Sequence, residues 1–169
     1  ISFTIILYST ILECMRICLS PLLKRTSDKH GWDLSLRQRL PVTFRDFRNR
    51  TVVWIHAASL GEAKLLIKFL ESLKKKTSED LYLITAATRD GVNYIHANRV
   101  AGVCAAGFLP VDTIPLMKRI IEHFSISRLW IIETELWPSM LWVCRLKNIP
   151  IGIVNARIEE KTFRWYYRI

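Results

Sequence analysis

Apolar residues fall along this chain in two rhythms. Short continuous apolar runs at residues 52–57, 81–85, 103–109, 129–132 and 151–154 read as strands buried on both faces. Between them the apolar positions recur every three or four residues, the spacing of an amphipathic helix. Residues 62–76 carry Leu66, Phe69, Leu70 and Leu73 on one stripe, and Lys74 to Lys76 close the last turn. A shorter helix is expected over 90–99, after a turn at Arg89, Asp90 and Gly91. Asp112 or Thr113 is placed to cap a third, with Pro115 in its first turn and Leu116, Ile120, Ile121 and Phe124 inside. Pro138 opens a fourth, which runs on through 140–146. Strands without polar alternation, separated by amphipathic helices, predict an α/β fold: a Rossmann-like, mostly parallel sheet covered on both faces.

The pattern differs before residue 51. Residues 1–12 carry no charge, Glu13 and Arg16 follow, and Ile17, Leu19, Leu22 and Leu23 continue the apolar character. Twelve clean residues fall short of the roughly 20 that span a bilayer. Residues 1–23 are therefore expected to form an N-terminal apolar helix that anchors to a membrane or lies in its interface. A buried amphipathic helix is the alternative. There is no positive n-region and no A-x-A site to mark a signal peptide. Of the formal net charge of +10, a block at 24–50 supplies half, with eight basic residues against three acids. This basic connector beside an apolar helix suits the cytoplasmic side of an anionic membrane. Nucleic acid is the weaker reading, because the basic residues and aromatics do not follow the pattern of any known module. Residues 51–169 then form the domain proper. The chain begins at Ile1 and ends at Ile169 after an aromatic, basic cluster, so it is expected to be a fragment of a longer protein.

Some chemistries find no support. There is no G-x-G-x-x-G and no G-x-x-x-x-G-K, hence no dinucleotide or P-loop signal. Cys14, Cys18, Cys104 and Cys144 make no C-x-x-C and suit a reduced compartment. The four histidines are scattered and give no metal signature.

Polar residues collect instead where each strand ends. Ser59, Gly61 and Glu62 follow the first; Thr85, Thr88, Arg89 and Asp90 the second; Pro110 and Asp112 the third; Glu133, Thr134, Glu135 and Trp137 the fourth; Asn155 and Arg157 the fifth. In an open parallel sheet these positions converge on one rim, where ligands bind. Two readings of Glu62 stay open. A carboxylate on that rim can serve as a general base. Ser59 and Glu62 also have the S-x-x-E spacing of a capping box, in which both side chains only satisfy backbone N–H groups. Glu133 and Glu135 either line the cleft or complement a helix dipole. Asn155 and Arg157 either bind an anion or make ordinary loop and surface contacts.

The segments WIHAASLGE (Trp54 to Glu62), LPVD (Leu109 to Asp112), ETELWP (Glu133 to Pro138) and NAR (Asn155 to Arg157) occur in this order. Together they resemble the 3-deoxy-D-manno-octulosonic acid (Kdo) transferases of lipopolysaccharide synthesis. The resemblance covers nearly the whole chain. After NAR, where the family usually has a serine-containing turn, this chain reads IEEKT. The resemblance implies the N-terminal half of a two-domain GT-B glycosyltransferase at the cytoplasmic face of the inner membrane. Such an enzyme moves Kdo from CMP-Kdo to the lipid A precursor, with no cofactor and no metal at the site. It implies Glu62 as the catalytic base. Ser59, Gly61, Thr88, Arg89, Glu133, Glu135, Asn155 and Arg157 are implied to bind the acceptor or support the site. CMP-Kdo would be held mostly by a C-terminal donor-binding domain absent from this chain. The alternative is a truncated, catalytically inactive, membrane-tethered binding domain.

Overall fold

The computed structural model describes residues 3–18, 51–75, 80–98 and 100–156, with nothing said of the Arg16 side chain. The expected basic connector at 24–50, the end of the expected anchor segment and Arg157 lie outside the described residues. The elements run α1 (Phe3–Cys18), β1 (Val52–Ala57), α2 (Leu60–Lys74), β2 (Leu81–Ala86), α3 (Arg89–Ala97), β3 (Val103–Phe108), α4 (Ile114–Phe124), β4 (Ile126–Ile132), α5 (Pro138–Leu146) and β5 (Ile151–Val154).

All five strands are parallel, in the order β3-β2-β1-β4-β5. The chain winds outward from β1 to β3, then returns to the other side of β1. The order therefore reverses between β1 and β4, and there the loops at the carboxyl ends of two neighbouring strands diverge to opposite faces and open a crevice.

Two cores cover the sheet. On one face Trp54, Leu83, Leu129 and Ile131 pack under Met117, Ile120 and Phe124 of α4 and Met140 and Val143 of α5. On the other, Ile55, Ile84 and Ile132 pack under Ala63, Leu66 and Leu70 of α2 and Val92 and Ile95 of α3. Every side chain of β1 is buried, which is why the strand reads as an unbroken apolar run. Only His56 interrupts that run, and it too is buried.

Differences from the expected boundaries have local causes. α2 starts at Leu60, two residues before the expected helix, because Ser59 is its N-cap and Glu62 already lies inside the first turn. β4 starts at Ile126, three residues before the expected strand. Ser125 adopts a left-handed conformation that ends α4, and Ser127 sits in a bulge where the β1 register shifts. The adjacent exposed Ser127 and Arg128 hide the strand from an apolar pattern. Gly152 is required by close approach. It lies directly across from Trp130, and a Cβ there would stand 2.0 Å from the indole ring. That ring in turn packs edge-on against Phe69 of α2, with centroids 5.3 Å apart.

α1 packs against α5 and is tied down by polar contacts. Ser9 Oγ accepts from the Ile114 backbone N–H at 2.8 Å, and burial together with the nearby Asp112 charge pushes the Tyr8 pKa up to about 12. Its outward side is apolar: Phe3, Ile6, Leu7, Ile11, Met15 and Ile17 are between 42 and 77 % exposed. Among the described residues no helix is long and apolar enough to cross a membrane.

Candidate functional site

The site is built where β1 and β4 end. Ser59 has extended backbone and starts α2, and Glu62 occupies the third helical position. One Glu62 oxygen accepts from the Ala58 backbone N–H at 2.7 Å, and the other from the Ser59 hydroxyl at 3.0 Å. Ser59 Oγ in turn lies 3.4 Å from the Glu62 N–H it accepts from. These are the bonds of a reciprocal cap, shifted by one residue because the carboxylate reaches Ala58 rather than Ser59. Glu62 as a residue is 9 % exposed, and the two cap bonds fix its carboxylate in one orientation. Each oxygen uses one lone-pair direction in the cap and keeps another.

Thr88 starts α3 in the same way. Its hydroxyl accepts from the Gly91 N–H at 3.3 Å and donates to the Ala58 carbonyl at 3.2 Å. The Ala58 peptide is thus held on both sides, its N–H by Glu62 and its C=O by Thr88. Gly91 lets α3 come this close, because a Cβ would lie 3.0 Å from the Ala86 side chain and 3.4 Å from the Ser59 carbonyl. Gly61 has no such constraint. A Cβ there would meet only Ser59 Oγ at 3.8 Å, an ordinary contact. Arg89 is exposed in the first turn of α3.

Across the crevice, the chain leaves β4 through Glu133, whose φ of 62° is left-handed. A non-glycine residue held there stores on the order of 1 kcal/mol or more of strain. Two contacts hold it: its N–H donates to Val154 O at 2.8 Å, and its carboxylate accepts from Asn155 Nδ2 at 3.3 Å. Asn155 is also left-handed, with φ 58°. Glu135, half-buried, follows two residues later. Burial pushes its carboxyl pKa up, the negative charges of Glu62 and Glu133 push the same way, and the Trp137 indole N–H counters them. That N–H makes no hydrogen bond of ordinary geometry, so its effect is a long-range one. Glu62 on β1's loop and Glu135 on β4's loop are thus near enough for their charges to interact, and Glu133 and Glu135 both follow the carboxyl end of β4.

Beneath this rim lies a buried polar layer. His56 is fully buried, and its Nδ1 lies 2.9 Å from Thr85 Oγ1, which also accepts the Trp54 indole N–H at 2.9 Å. Burial drives the His56 pKa down to about 4, partly offset by a hydrogen bond to the Thr85 backbone. The imidazole is therefore neutral, with its ring edge-on to Trp137 at 6.5 Å. Asp112, 2 % exposed, accepts from the Ser139 and Met140 N–H groups, each at 2.8 Å. The Ser139 hydroxyl donates back to the Asp112 carbonyl at 2.8 Å. Asp112 thus caps α5 from a loop about 27 residues away, and not α4, the helix its sequence position suggested. Thr113 is the α4 N-cap residue, but its side chain makes no capping bond.

Of the residues singled out from sequence, the structure brings together Ser59, Glu62 and Thr88 after β1 and β2, and separately Glu133 and Asn155 after β4 and β5, with Glu135 on the same loop as Glu133. Tyr8, Ser9 and His56 were not singled out. His56 was hidden inside an apolar strand, and Tyr8 on a helix distant in sequence. Among the described residues no group of three or more His, Cys, Asp and Glu is disposed to hold a metal ion.

The family model described as 3-deoxy-D-manno-octulosonic-acid transferase (kdotransferase) matches residues 34–169. A probable 3-deoxy-D-manno-octulosonic acid transferase, mitochondrial, of Arabidopsis thaliana is 32% identical over 116 residues, covering 68% of this chain and 26% of that protein. A 3-deoxy-D-manno-octulosonic acid transferase of Rickettsia felis is 29% identical over 120 residues, covering 70% and 25%. A bifunctional glycosyltransferase/methyltransferase of Fusobacterium nucleatum is 28% identical over 142 residues, covering 79% and 21%. The chain spans about a quarter of the length of the curated relatives it matches. With the whole site lying inside the matched segment, the chain belongs to the Kdo transferase family of glycosyltransferases.

Proposed function

We propose that this chain is the N-terminal, acceptor-binding half of a GT-B glycosyltransferase that moves Kdo from CMP-Kdo to a lipid A precursor in lipopolysaccharide synthesis. The observation that carries the proposal is the placing of the capped Glu62 and of Glu133 on the carboxyl ends of β1 and β4, where the strand order reverses. In the proposed reaction the acceptor hydroxyl oxygen bonds to the anomeric carbon, the bond from that carbon to the CMP phosphate oxygen breaks, and Glu62 takes the hydroxyl proton. A carboxylate held by a cap on a rigid helix start is already oriented for this transfer. Glu135, raised in pKa by burial and by Glu62, is suited to share a proton or donate a hydrogen bond to the acceptor. Thr88, Arg89, Glu133 and Asn155 supply further polar contacts on the rim, Ser59 and Gly61 shape its start, and Arg157 is proposed with them from the sequence alone. CMP-Kdo would be held mainly by a second domain, and the chemistry calls for no cofactor.

The outward face of α1 supports an interfacial placement on the cytoplasmic face of the inner membrane. Six exposed apolar side chains on a 16-residue helix suit burial at the boundary of headgroups and acyl chains. A lipid acceptor would then reach the rim from the surface that α1 lies on.

A second reading is a tethered binding domain without catalysis, favoured by the engagement of both Glu62 oxygens in the helix cap. Two experiments separate the readings. The reading frame downstream of residue 169 should encode a second Rossmann-like domain. The resulting full-length protein, given CMP-Kdo and lipid A precursor, should release CMP and yield a lipid heavier by one or more Kdo residues. A frame that closes after residue 169, or no transfer by a folded full-length protein, overturns the enzyme reading.

A further inference from the structure

Beneath the rim, two buried ring nitrogens find no hydrogen-bond partner among the described residues. His56 is 0 % exposed, and its Nε2 is one of them. Trp137 packs against the same side of the sheet as Trp54, and its buried Nε1 is the other. The two rings meet edge-on, with centroids 6.5 Å apart and planes at 72°. Thr113 Oγ1, at the start of α4, is a further buried atom without a partner. It follows Asp112, whose bonds to Ser139 hold the starts of α4 and α5 together. Buried polar groups are hydrogen-bonded as a rule, and a dry one weakens folding on the order of 10-fold.

The hydrogen-bonding capacity of the two nitrogens selects what fits between them. Trp137 Nε1–H can only donate. Thr85 Oγ1 accepts the Trp54 indole N–H and lies 2.9 Å from His56 Nδ1. If Nδ1 accepts the Thr85 hydroxyl proton, Nε2 carries the ring N–H and donates; if Nδ1–H donates, Nε2 accepts. Burial holds His56 neutral, with its pKa down at about 4, so no counter-ion is called for. A metal ion gains no ligand from an indole N–H, and an apolar group leaves both nitrogens unmet. A water molecule meets both in either tautomer. One lone pair accepts from Trp137, and His56 is met by the other lone pair or by a proton. A water bonded to both lets the nitrogens stand up to about 6 Å apart, which rings with centroids 6.5 Å apart can satisfy.

We propose that an internal water molecule is bound between His56 Nε2 and Trp137 Nε1, beneath the rim, as a resident part of the fold. It joins the end of β1 to the start of α5, beside the point where the strand order reverses. Such a water is present whether or not the chain transfers a sugar.

A crystal structure of the 169-residue chain that shows ordered solvent tests this. The expected result is one water within about 3.2 Å of both His56 Nε2 and Trp137 Nε1. A direct bond from Trp137 Nε1 to Glu135, a water that meets only one of the nitrogens, or no ordered solvent between the rings overturns the proposal. Urea unfolding of His56→Phe, Trp137→Phe and the double variant gives a second readout. Phe keeps an aromatic ring at each position and removes the nitrogens. Each substitution also loses contacts of its own, the Thr85 bond of His56 among them, and those losses multiply. The shared water is lost only once. The double variant should therefore be about 10-fold less destabilised than the product of the single effects. Lys147→Ala combined with His56→Phe, at the far end of α5, should give the plain product. A plain product for His56→Phe with Trp137→Phe overturns the proposal. Where a variant does not fold, the solvent in the wild-type crystal decides.

Discussion

Replacing Glu62 by Gln separates the two roles its geometry allows. The carboxylate makes two hydrogen bonds, to the Ala58 N–H at 2.7 Å and from the Ser59 hydroxyl at 3.0 Å. A carboxamide keeps both contacts, since its oxygen accepts from Ala58 and its NH2 donates to a reoriented Ser59. What is lost is charge assistance and the favourable charge in the first turn of α2, together about 1–2 kcal/mol. Glu62→Ala loses the bonds outright and leaves the Ala58 N–H unpaired, for about 2–3 kcal/mol. Urea unfolding of the 169-residue chain reads both values. Turnover follows another order. If Glu62 removes the proton, Gln and Ala both lower kcat of the full-length enzyme by roughly 10²-fold or more, because neither takes up a proton. If Glu62 only caps, Gln retains nearly full turnover and the losses follow stability, with Ala worse than Gln. Near-normal transfer by a stable Glu62→Gln enzyme would refute the catalytic assignment and leave the cap as the whole explanation.

Three further outcomes follow. The His56 pKa of about 4 lies below its unfolded value of 6.5, so the unfolded chain takes up this proton first as pH falls. Stability should decline by about 3 kcal/mol between pH 7 and pH 4 on this account and level off below, a slope absent from a folded His56→Gln variant in urea titrations. Gly152→Ala drives a methyl into Trp130 and should destabilise by about 1–3 kcal/mol or more, read as a lower urea midpoint. Leu7→Ser with Ile11→Ser, both on the outward face of α1, should weaken binding to anionic vesicles at least ~10-fold without lowering stability; unchanged co-sedimentation would remove α1 from the interface.

β1 was legible because burial on both faces leaves no polar alternation to confuse, whereas the edge strand Ile151–Val154, exposed or only partly buried, was legible from its unbroken apolar composition. Val52–Ala57 and Ile151–Val154 came out with the expected bounds. The start of β4 did not, since a bulge and two exposed polar residues break its rhythm. The rim was legible as a list of polar residues after strands, because the C-terminal edge of a parallel sheet gathers such loops. Which of them meet depends on strand order, and nothing local in the chain announces that β4 returns beside β1. The capping spacing of Ser59 and Glu62 was readable, while the one-residue shift onto Ala58 was not. Asp112 shows the limit most clearly. Its position before a proline-started helix suggested a local cap, yet its carboxylate serves a different helix. Contacts of that kind are set by packing and leave no periodic trace.

The central claim is that the crevice between the ends of β1 and β4 receives the acceptor. Amide exchange of the 169-residue chain with lipid A precursor in mixed micelles, against the same micelles without it, tests this most directly. The account predicts saturable protection at residues 58–63 and 133–137 together, on the two lips of one crevice. Protection confined to α1, or none on either lip at saturating acceptor, would contradict it.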